Sequence, residues 1–148
     1  MASKAEIAVH TFSKGFNCAQ AVLTSCSADY GISDDIAKKI SCGFGGGMGY
    51  SNEACGAVSG AVMLIGLKYG KYIESDKESK EKTYKLVKKF TDNFRKEFGA
   101  VSCHDLLKFD LSKDDELKKA RESGIFKDLC PKLVRRSVEL VEEILKLP

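Results

Sequence analysis

Apolar residues recur along most of this chain at intervals of three and four positions, which is the spacing that lines one face of an α-helix. Gly, Ser, Asp and Asn residues interrupt the pattern and supply the start and stop signals that helices prefer. The pattern predicts helices at 5–16, 18–30, 33–42, 55–69, 75–98, 112–123 and from 130 onward, with a further short segment at 103–107. No segment alternates between apolar and polar residues as a half-buried strand does. We therefore predict an all-α fold, a single-domain bundle of five to seven helices that spans residues 1–148 and contains a glycine-rich loop.

The segment at 75–98 is the longest predicted helix, and its apolar positions share one face. These positions are Tyr84, Val87, Phe90, Phe94 and Phe98. Lysines and glutamates interleave on the rest of the helix, which is typical of a solvated face and not of a nucleic-acid patch. We expect the apolar face to be buried and the remainder to contact water.

Residues 54–67 depart from this amphipathic pattern because they contain no charge and no polar face. Such a segment predicts a helix that is buried on nearly all sides. Gly56 and Gly60 lie four positions apart and share a face, although each glycine costs about 1 kcal/mol relative to alanine inside a helix. We expect the close approach of another helix, or of a bound group that needs bare backbone, to offset this cost. The same small-residue face would also allow a homodimer.

Composition and charge exclude several classes of function. The 148 residues are 43% hydrophobic and 30% charged, which suits a helix-rich water-soluble domain. A net charge of +3 is too small to indicate a nucleic-acid or anionic-membrane partner. The apolar run at 54–67 is shorter than the ~20 residues that cross a bilayer. The N-terminus lacks the apolar core of a secretory signal, so we expect a cytoplasmic protein with no membrane association.

The six cysteines are the unusual feature of this composition. In a reducing compartment they indicate metal binding or redox chemistry rather than structural disulfides. Four of them fall at predicted helix starts, where free N–H groups and the helix dipole favour a thiolate. These four are Cys18, Cys55, Cys103 and Cys130. No Cys-x-x-Cys pair occurs, so any site built from them must be assembled by the tertiary structure.

The segment 43–49 holds five glycines in seven residues. This density predicts positive φ angles, close backbone approach to another group, or both. The loop follows a helix and lacks Gly-Lys-Ser/Thr, so a phosphate-binding loop is not indicated. We expect Gly45, Gly46 and Gly47, together with Gly56, to contact a bound cofactor and to shield the cysteine cluster.

The motifs Asn17-Cys18-Ala19-Gln20-Ala21-Val22 and Cys55-Gly56-Ala57-Val58-Ser59-Gly60 flank this glycine loop, and Cys103 and Cys130 follow. The combination resembles a family of redox-active proteins named for a C…CGAxxG…C…C pattern. A related module occurs in split-Soret cytochromes c, where it is associated with an iron–sulfur centre. The resemblance implies that the four helix-start cysteines are the family cysteines and that Cys26 and Cys42 lie outside the pattern. The chain has no Cys-x-x-Cys-His for covalent haem, so the cytochrome function does not carry over.

Three hypotheses follow from the residues and the resemblance. In the first, the four cysteines ligate an iron–sulfur cluster, [2Fe–2S], and the protein exchanges electrons with an unidentified redox partner protein. In the second, cysteine pairs cycle between dithiol and disulfide without metal. In the third, the protein is a structural zinc-binding or metal-free helical module that binds a partner. No catalytic acid–base pair is evident. We interpret His104 as an exposed histidine rather than as a metal ligand.

Overall fold

Local capping signals determine where several helices begin. Ser3 and Asn17 each form a capping box, in which the side chain accepts a hydrogen bond from the N–H group three residues ahead and the cap residue's own N–H donates to the side chain of that residue. Ser33 and Ser102 accept single capping bonds from the N–H groups three residues ahead. These four starts agree with the sequence-based prediction.

The computed structural model describes all 148 residues. Its α-helices are α1 Lys4–Ser13, α2 Cys18–Cys26, α3 Asp34–Ser41, α4 Gly45–Met48, α5 Gly56–Tyr69, α6 Glu78–Phe98, α7 Cys103–Leu107, α8 Asp114–Ser123, α9 Ile125–Asp128 and α10 Cys130–Leu145. Two 3₁₀ turns, Ser27–Tyr30 and Cys42–Phe44, follow α2 and α3. Seven of the ten helices have eight residues or more, which confirms the predicted all-α class. No helix has both the length and the apolar content needed to cross a membrane.

Helix α5 lies at the centre of the main core, where it packs against α2, α6 and α10, while α1 packs against α2 and α10. We call these five helices the helical frame. A Cβ atom added at Gly60 would lie 2.9 Å from the Ala19 carbonyl oxygen and 3.0 Å from the Val22 Cβ. Helix α2 therefore occupies the small-residue face of α5, which confirms close approach by another helix. Because this face is filled within the chain, it offers no support for the homodimer, which stays a prediction.

The apolar stripe of α6 differs from the predicted one. Tyr84 is 61% exposed, whereas Leu86, which the prediction omitted, is buried. Leu86, Phe90 and Phe94 are spaced by four residues and form the buried face. Tyr84 lies on the opposite side because two positions along a helix correspond to about 200° of rotation. The helix also begins at Glu78 rather than at 75, because the Asp76 carboxylate accepts bonds from the Glu78 and Ser79 N–H groups.

Other helix ends differ from the prediction by a few residues. Helix α1 ends at Ser13 rather than 16, and the final turn of the predicted 18–30 helix is a 3₁₀ turn that stops at a left-handed Gly31. The last helix begins at the predicted residue, with Cys130 first and Pro131 second.

A second, smaller core packs beside the frame. It consists of Cys103, Leu107, Leu111, Ala120 and Cys130. The residues around it, 42–54 and 99–129, contain turns and the helices α4, α7, α8 and α9, of which only α8 exceeds five residues, and we call them the loop region. Cys130 therefore lies where the loop region meets the frame.

Candidate functional site

The four helix-start cysteines line one cavity. Cys18, Cys103 and Cys130 are the first residues of α2, α7 and α10, and Cys55 immediately precedes α5, as the sequence predicted. All four contribute to a cavity of about 460 Å³ between the helical frame and the loop region. The tertiary structure thus brings together residues that are 37, 48 and 27 positions apart in the chain.

A short antiparallel bridge holds two of these cysteines beside each other. Ala54 pairs with Ser102, and the Cys55 N–H donates to the Val101 carbonyl at 2.8 Å. The Cys103 N–H donates in turn to the Glu53 carbonyl at 2.7 Å. Two backbone hydrogen bonds therefore fix the start of α5 relative to the start of α7.

Asn17 connects the start of α2 to the glycine-rich segment. Its Oδ1 accepts from the Gln20 N–H at 3.0 Å, and its Nδ2 donates to the Cys42 carbonyl at 2.8 Å. A Cβ atom at Gly45 would lie 2.4 Å from the Asn17 Nδ2, so only glycine fits there. One side chain thus caps the helix that begins at Cys18 and sets its position against the loop.

The glycine-rich segment contains a run of left-handed backbone. Gly46, Gly47, Met48, Gly49 and Tyr50 have φ angles between 63° and 67°. The predicted positive φ angles are thereby confirmed, and they extend to two residues with side chains. Left-handed backbone costs about 1–2 kcal/mol for each residue other than glycine, so Met48 and Tyr50 are held there by their surroundings.

Gly47 shows why this backbone needs glycine. A Cβ atom at Gly47 would lie 2.7 Å from both the Cys103 Cβ and the Glu53 carbonyl oxygen. The Glu53 N–H also donates to the Gly47 carbonyl at 2.9 Å. The loop therefore packs directly behind Cys103. Of the glycines expected to contact a cofactor, Gly45, Gly46 and Gly56 line the cavity, whereas Gly47 lies behind it.

Asn52 ties the end of this run to the chain that follows α7. Its φ angle is 64°, its Nδ2 donates to the Asp110 Oδ1 at 2.7 Å, and its Oδ1 accepts from the Leu111 N–H at 3.0 Å. Asp110 also accepts bonds from the Ser112 N–H and hydroxyl, and these contacts lower the pKa of the Asp110 carboxyl to about 2.

The four thiols do not share one electrostatic environment. Hydrogen bonds to the Cys130 and Cys55 side chains, together with burial, raise the pKa of Cys18 well above its ordinary value. The Cys18 thiol has the opposite effect on its neighbour and lowers the pKa of Cys55, although burial opposes this shift. Burial, with Cys55 and Cys130 nearby, raises the pKa of Cys103 to about 12. Cys55 is therefore the better thiolate of these three.

The start of α5 contributes to the lowered pKa of Cys55. The side chain makes no conventional capping hydrogen bond, but the N–H groups of Ala57 and Val58 lie near enough to its sulfur to favour the thiolate. This is the effect expected of N–H groups in the first turn of a helix, although the Val58 N–H also donates to the Cys55 carbonyl at 2.9 Å.

No three His, Cys, Asp or Glu side chains are arranged to hold a single metal ion. His104 is exposed, lies 3.6 Å from Asp105 and does not line the cavity, in agreement with its interpretation as an exposed histidine. Cys26 is buried at the end of α2, where the Ser25 hydroxyl contacts its sulfur at 3.5 Å. Cys42 is exposed but lines the same cavity as the four helix-start cysteines.

Two further residues at the cavity were not identified from the sequence. Tyr50 and Arg121 line its exposed edge, and the Arg121 guanidinium donates to the Tyr50 hydroxyl at 3.3 Å. They are 71 residues apart, and no local motif distinguishes either one.

Comparison with known proteins gave one match. A family model described as "Putative redox-active protein (C_GCAxxG_C_C)" matches residues 16–144 of the chain. The description writes glycine before its second cysteine, whereas here Gly56 follows Cys55, and the Ala57-x-x-Gly60 part is the same. No curated protein and no solved structure matched the chain.

Proposed function

Since the chain belongs to the C_GCAxxG_C_C family of redox-active proteins, we propose that its four helix-start cysteines hold a [2Fe–2S] cluster and that the protein transfers electrons to a partner protein. The observation that carries this proposal is the convergence of four thiols, from four different helices, on one cavity. Four cysteine thiolates are the ligand set that such a cluster requires.

The charge of the site supports a cationic occupant. Arg121 is the only charged residue that lines the cavity, and it is exposed at the rim. Four buried thiolates without compensation would be costly, which is consistent with the raised pKa values of Cys18 and Cys103. A cationic iron centre would replace the thiol protons and supply the missing positive charge.

The helix starts also provide hydrogen-bond donors for the sulfur atoms of a cluster. First-turn N–H groups without intrahelical partners can donate to sulfur, and such bonds adjust the reduction potential. When bound, the cluster would supply one-electron chemistry, and the protein's own residues would exclude water and orient the sulfurs.

The test is an optical spectrum with iron and sulfide analysis on protein purified and reconstituted without oxygen. We expect visible absorbance and about two irons and two sulfides per chain. Cys55→Ser should lose both, whereas Cys26→Ser, the matched change at a buried cysteine outside the cavity, should retain both. Iron content and absorbance that survive Cys55→Ser would contradict the proposal.

A second candidate, metal-free thiol–disulfide chemistry, is favoured by the pairing of two thiols at the same cavity. The Cys18 thiol lowers the pKa of Cys55 and so favours the Cys55 thiolate. Oxidation of these two thiols would form one S–S bond and release two protons and two electrons to an external disulfide acceptor. Mild oxidation with glutathione disulfide, followed by peptide mapping, should then yield a Cys18–Cys55 cross-link in a protein that takes up no iron. A cross-link that forms equally well with Cys26 would contradict this alternative.

A further inference from the structure

The cavity extends beyond the cysteines toward solvent. Its members at the floor, such as Cys55 and Cys103, are buried, whereas Cys42, Tyr50 and Arg121 are exposed and form its rim. Apolar side chains line the walls between them: Phe12, Phe16, Leu106, Leu107, Phe126 and Leu133. A volume of about 460 Å³ with aromatic and aliphatic walls is typical of sites that bind small molecules.

Arg121 is the one positive charge at this cavity, and it has no acidic partner. Its side-chain hydrogen bond goes to the Tyr50 hydroxyl at 3.3 Å, and its guanidinium carbon lies 6.0 Å from the centre of the Tyr50 ring. No carboxylate lies within ion-pair distance of it. A guanidinium has five N–H donors in a planar fork that matches a carboxylate or a phosphate. Most of these donors are therefore free to bind an anion.

The backbone fixes Tyr50 in the position that orients Arg121. Tyr50 has a φ angle of 65°, in the left-handed region that a tyrosine rarely adopts. Its ring lies against Gly46, where an added Cβ would be 2.6 Å from the ring. Strained conformations of this kind persist only where surrounding contacts enforce them, and they cluster at ligand sites.

We propose that the rim of this cavity binds a small planar anion, a molecule with an aromatic or other apolar body and one carboxylate, sulfonate or phosphate group. The anionic group would pair with the Arg121 guanidinium, and the body would pack among Phe12, Phe16 and Phe126, above the cysteines. This site does not depend on whether the cysteines hold a cluster, because the anion lies at the rim and the thiols lie at the floor.

Calorimetric titration with 2-naphthoate tests the proposal, with the neutral 2-naphthalenemethanol as the matched ligand. We expect one naphthoate per chain, and Arg121→Gln should weaken its binding at least about tenfold, the loss expected for a charged hydrogen bond. Arg135→Gln, a change at an exposed arginine outside the cavity, should leave the affinity unchanged. The neutral ligand should bind more weakly and with the same affinity to the wild type and to Arg121→Gln.

Three results would overturn the proposal. Naphthoate could fail to bind at millimolar concentration, or it could bind Arg121→Gln as tightly as the wild type. The wild type and Arg121→Gln could also both self-associate, and naphthoate could dissociate both to the same extent. The apolar walls would then be the contact surface for a second copy of the chain. Running the titration on metal-free and reconstituted protein separates this proposal from the cluster, whose presence is read from the visible spectrum.

Discussion

The helical frame and the loop region achieve their shapes by different means. In the frame, long helices bury large apolar side chains such as Phe90 and Phe94, both fully buried. In the loop region, five successive left-handed residues, one isolated bridge and the Asn52–Asp110 contact fix the chain. The frame supplies Cys18, Cys55 and Cys130 from its helix starts, and the loop region supplies Cys103. The comparison teaches that most of the stability lies in the frame, whereas the position of Cys103 rests on a separate set of contacts in the loop region.

The largest effect on stability should come from the frame. Phe90→Ala removes a fully buried ring that packs 6.1 Å from the Phe94 ring, centre to centre. We expect the free energy of unfolding to fall by about 3–5 kcal/mol, as measured by urea denaturation. Tyr84→Ala on the exposed face of the same helix should stay within about 0.5 kcal/mol of the wild type. Equal losses at the two positions would contradict the assignment of Phe90 to the buried face of α6 and of Tyr84 to the exposed face.

A glycine of the loop region should come next. Gly47→Ala places a methyl group 2.7 Å from the Cys103 Cβ at a φ angle of 67°, and we expect a loss of about 2–4 kcal/mol from strain and overpacking together. Gly49→Ala has almost the same φ, 63°, but nothing lies within 4 Å of its added Cβ, so it should cost only about 1 kcal/mol. The two variants therefore separate steric contact from backbone strain.

Gly47→Ala should also reduce metal loading or thiol cross-linking more than its stability loss explains, because it displaces Cys103. Comparison with Phe90→Ala, each variant at the urea concentration that gives it the same folded fraction, would measure this directly. If both variants lost the site in proportion to their folded fractions, the separation between frame and loop region would be disproved.

Alkaline pH should destabilise the metal-free protein through Cys103. Its pKa rises from the ordinary value of 9.0 to about 12 in the folded chain, so the unfolded chain loses the thiol proton first. The contribution to stability is complete below about pH 9 and is lost as the pH rises toward 12, with a slope that approaches about 1.4 kcal/mol per pH unit. Cys103→Ser should flatten this part of the stability–pH curve relative to the wild type, whereas Cys42→Ser at the exposed rim should not. Parallel curves for all three proteins would contradict the assignment.

Acid should have the smallest effect, through the contact between Asn52 and Asp110. The pKa of Asp110 is lowered to about 2 by its hydrogen bonds to Ser112 and Asn52. The stabilising contribution is present above about pH 4 and is lost as the pH falls toward 2. The melting temperature of Asp110→Asn should therefore change less than that of the wild type over this range, while Glu122→Gln on the exposed face of α8 follows the wild type. Identical acid profiles for Asp110→Asn and the wild type would show that this contact carries no stability.

Much of the frame could be predicted because its signals are local. Asn17 marks the start of α2 through contacts within three residues, as Ser102 does for α7 in the loop region. The positions of Cys18 and Cys103 directly after these two residues predicted thiols at helix N-termini. The error at Tyr84 arose because Tyr84 and Leu86 are both apolar, and only the packing partners of α6 decide which face is buried.

The loop region could be predicted only in part because its contacts join distant residues. Glycine density indicated positive φ angles, but nothing in the sequence indicated that Met48 and Tyr50 share them. The pairing of Ala54 with Ser102 and the contact between Tyr50 and Arg121 join residues that are 48 and 71 positions apart. Such pairs depend on the assembled fold, so the cavity rim was missed.

The order of the four cysteines along the chain has a consequence for biosynthesis. Cys130 opens α10, which follows the other three cysteine-bearing helices in the chain, and α10 must dock against α1 and α5 before its thiol reaches the cavity. A group bound by all four sulfurs can therefore be inserted only after α10 has been synthesised and has docked. Loading of such a group would therefore indicate that α10 has docked and that the helical frame is correctly folded.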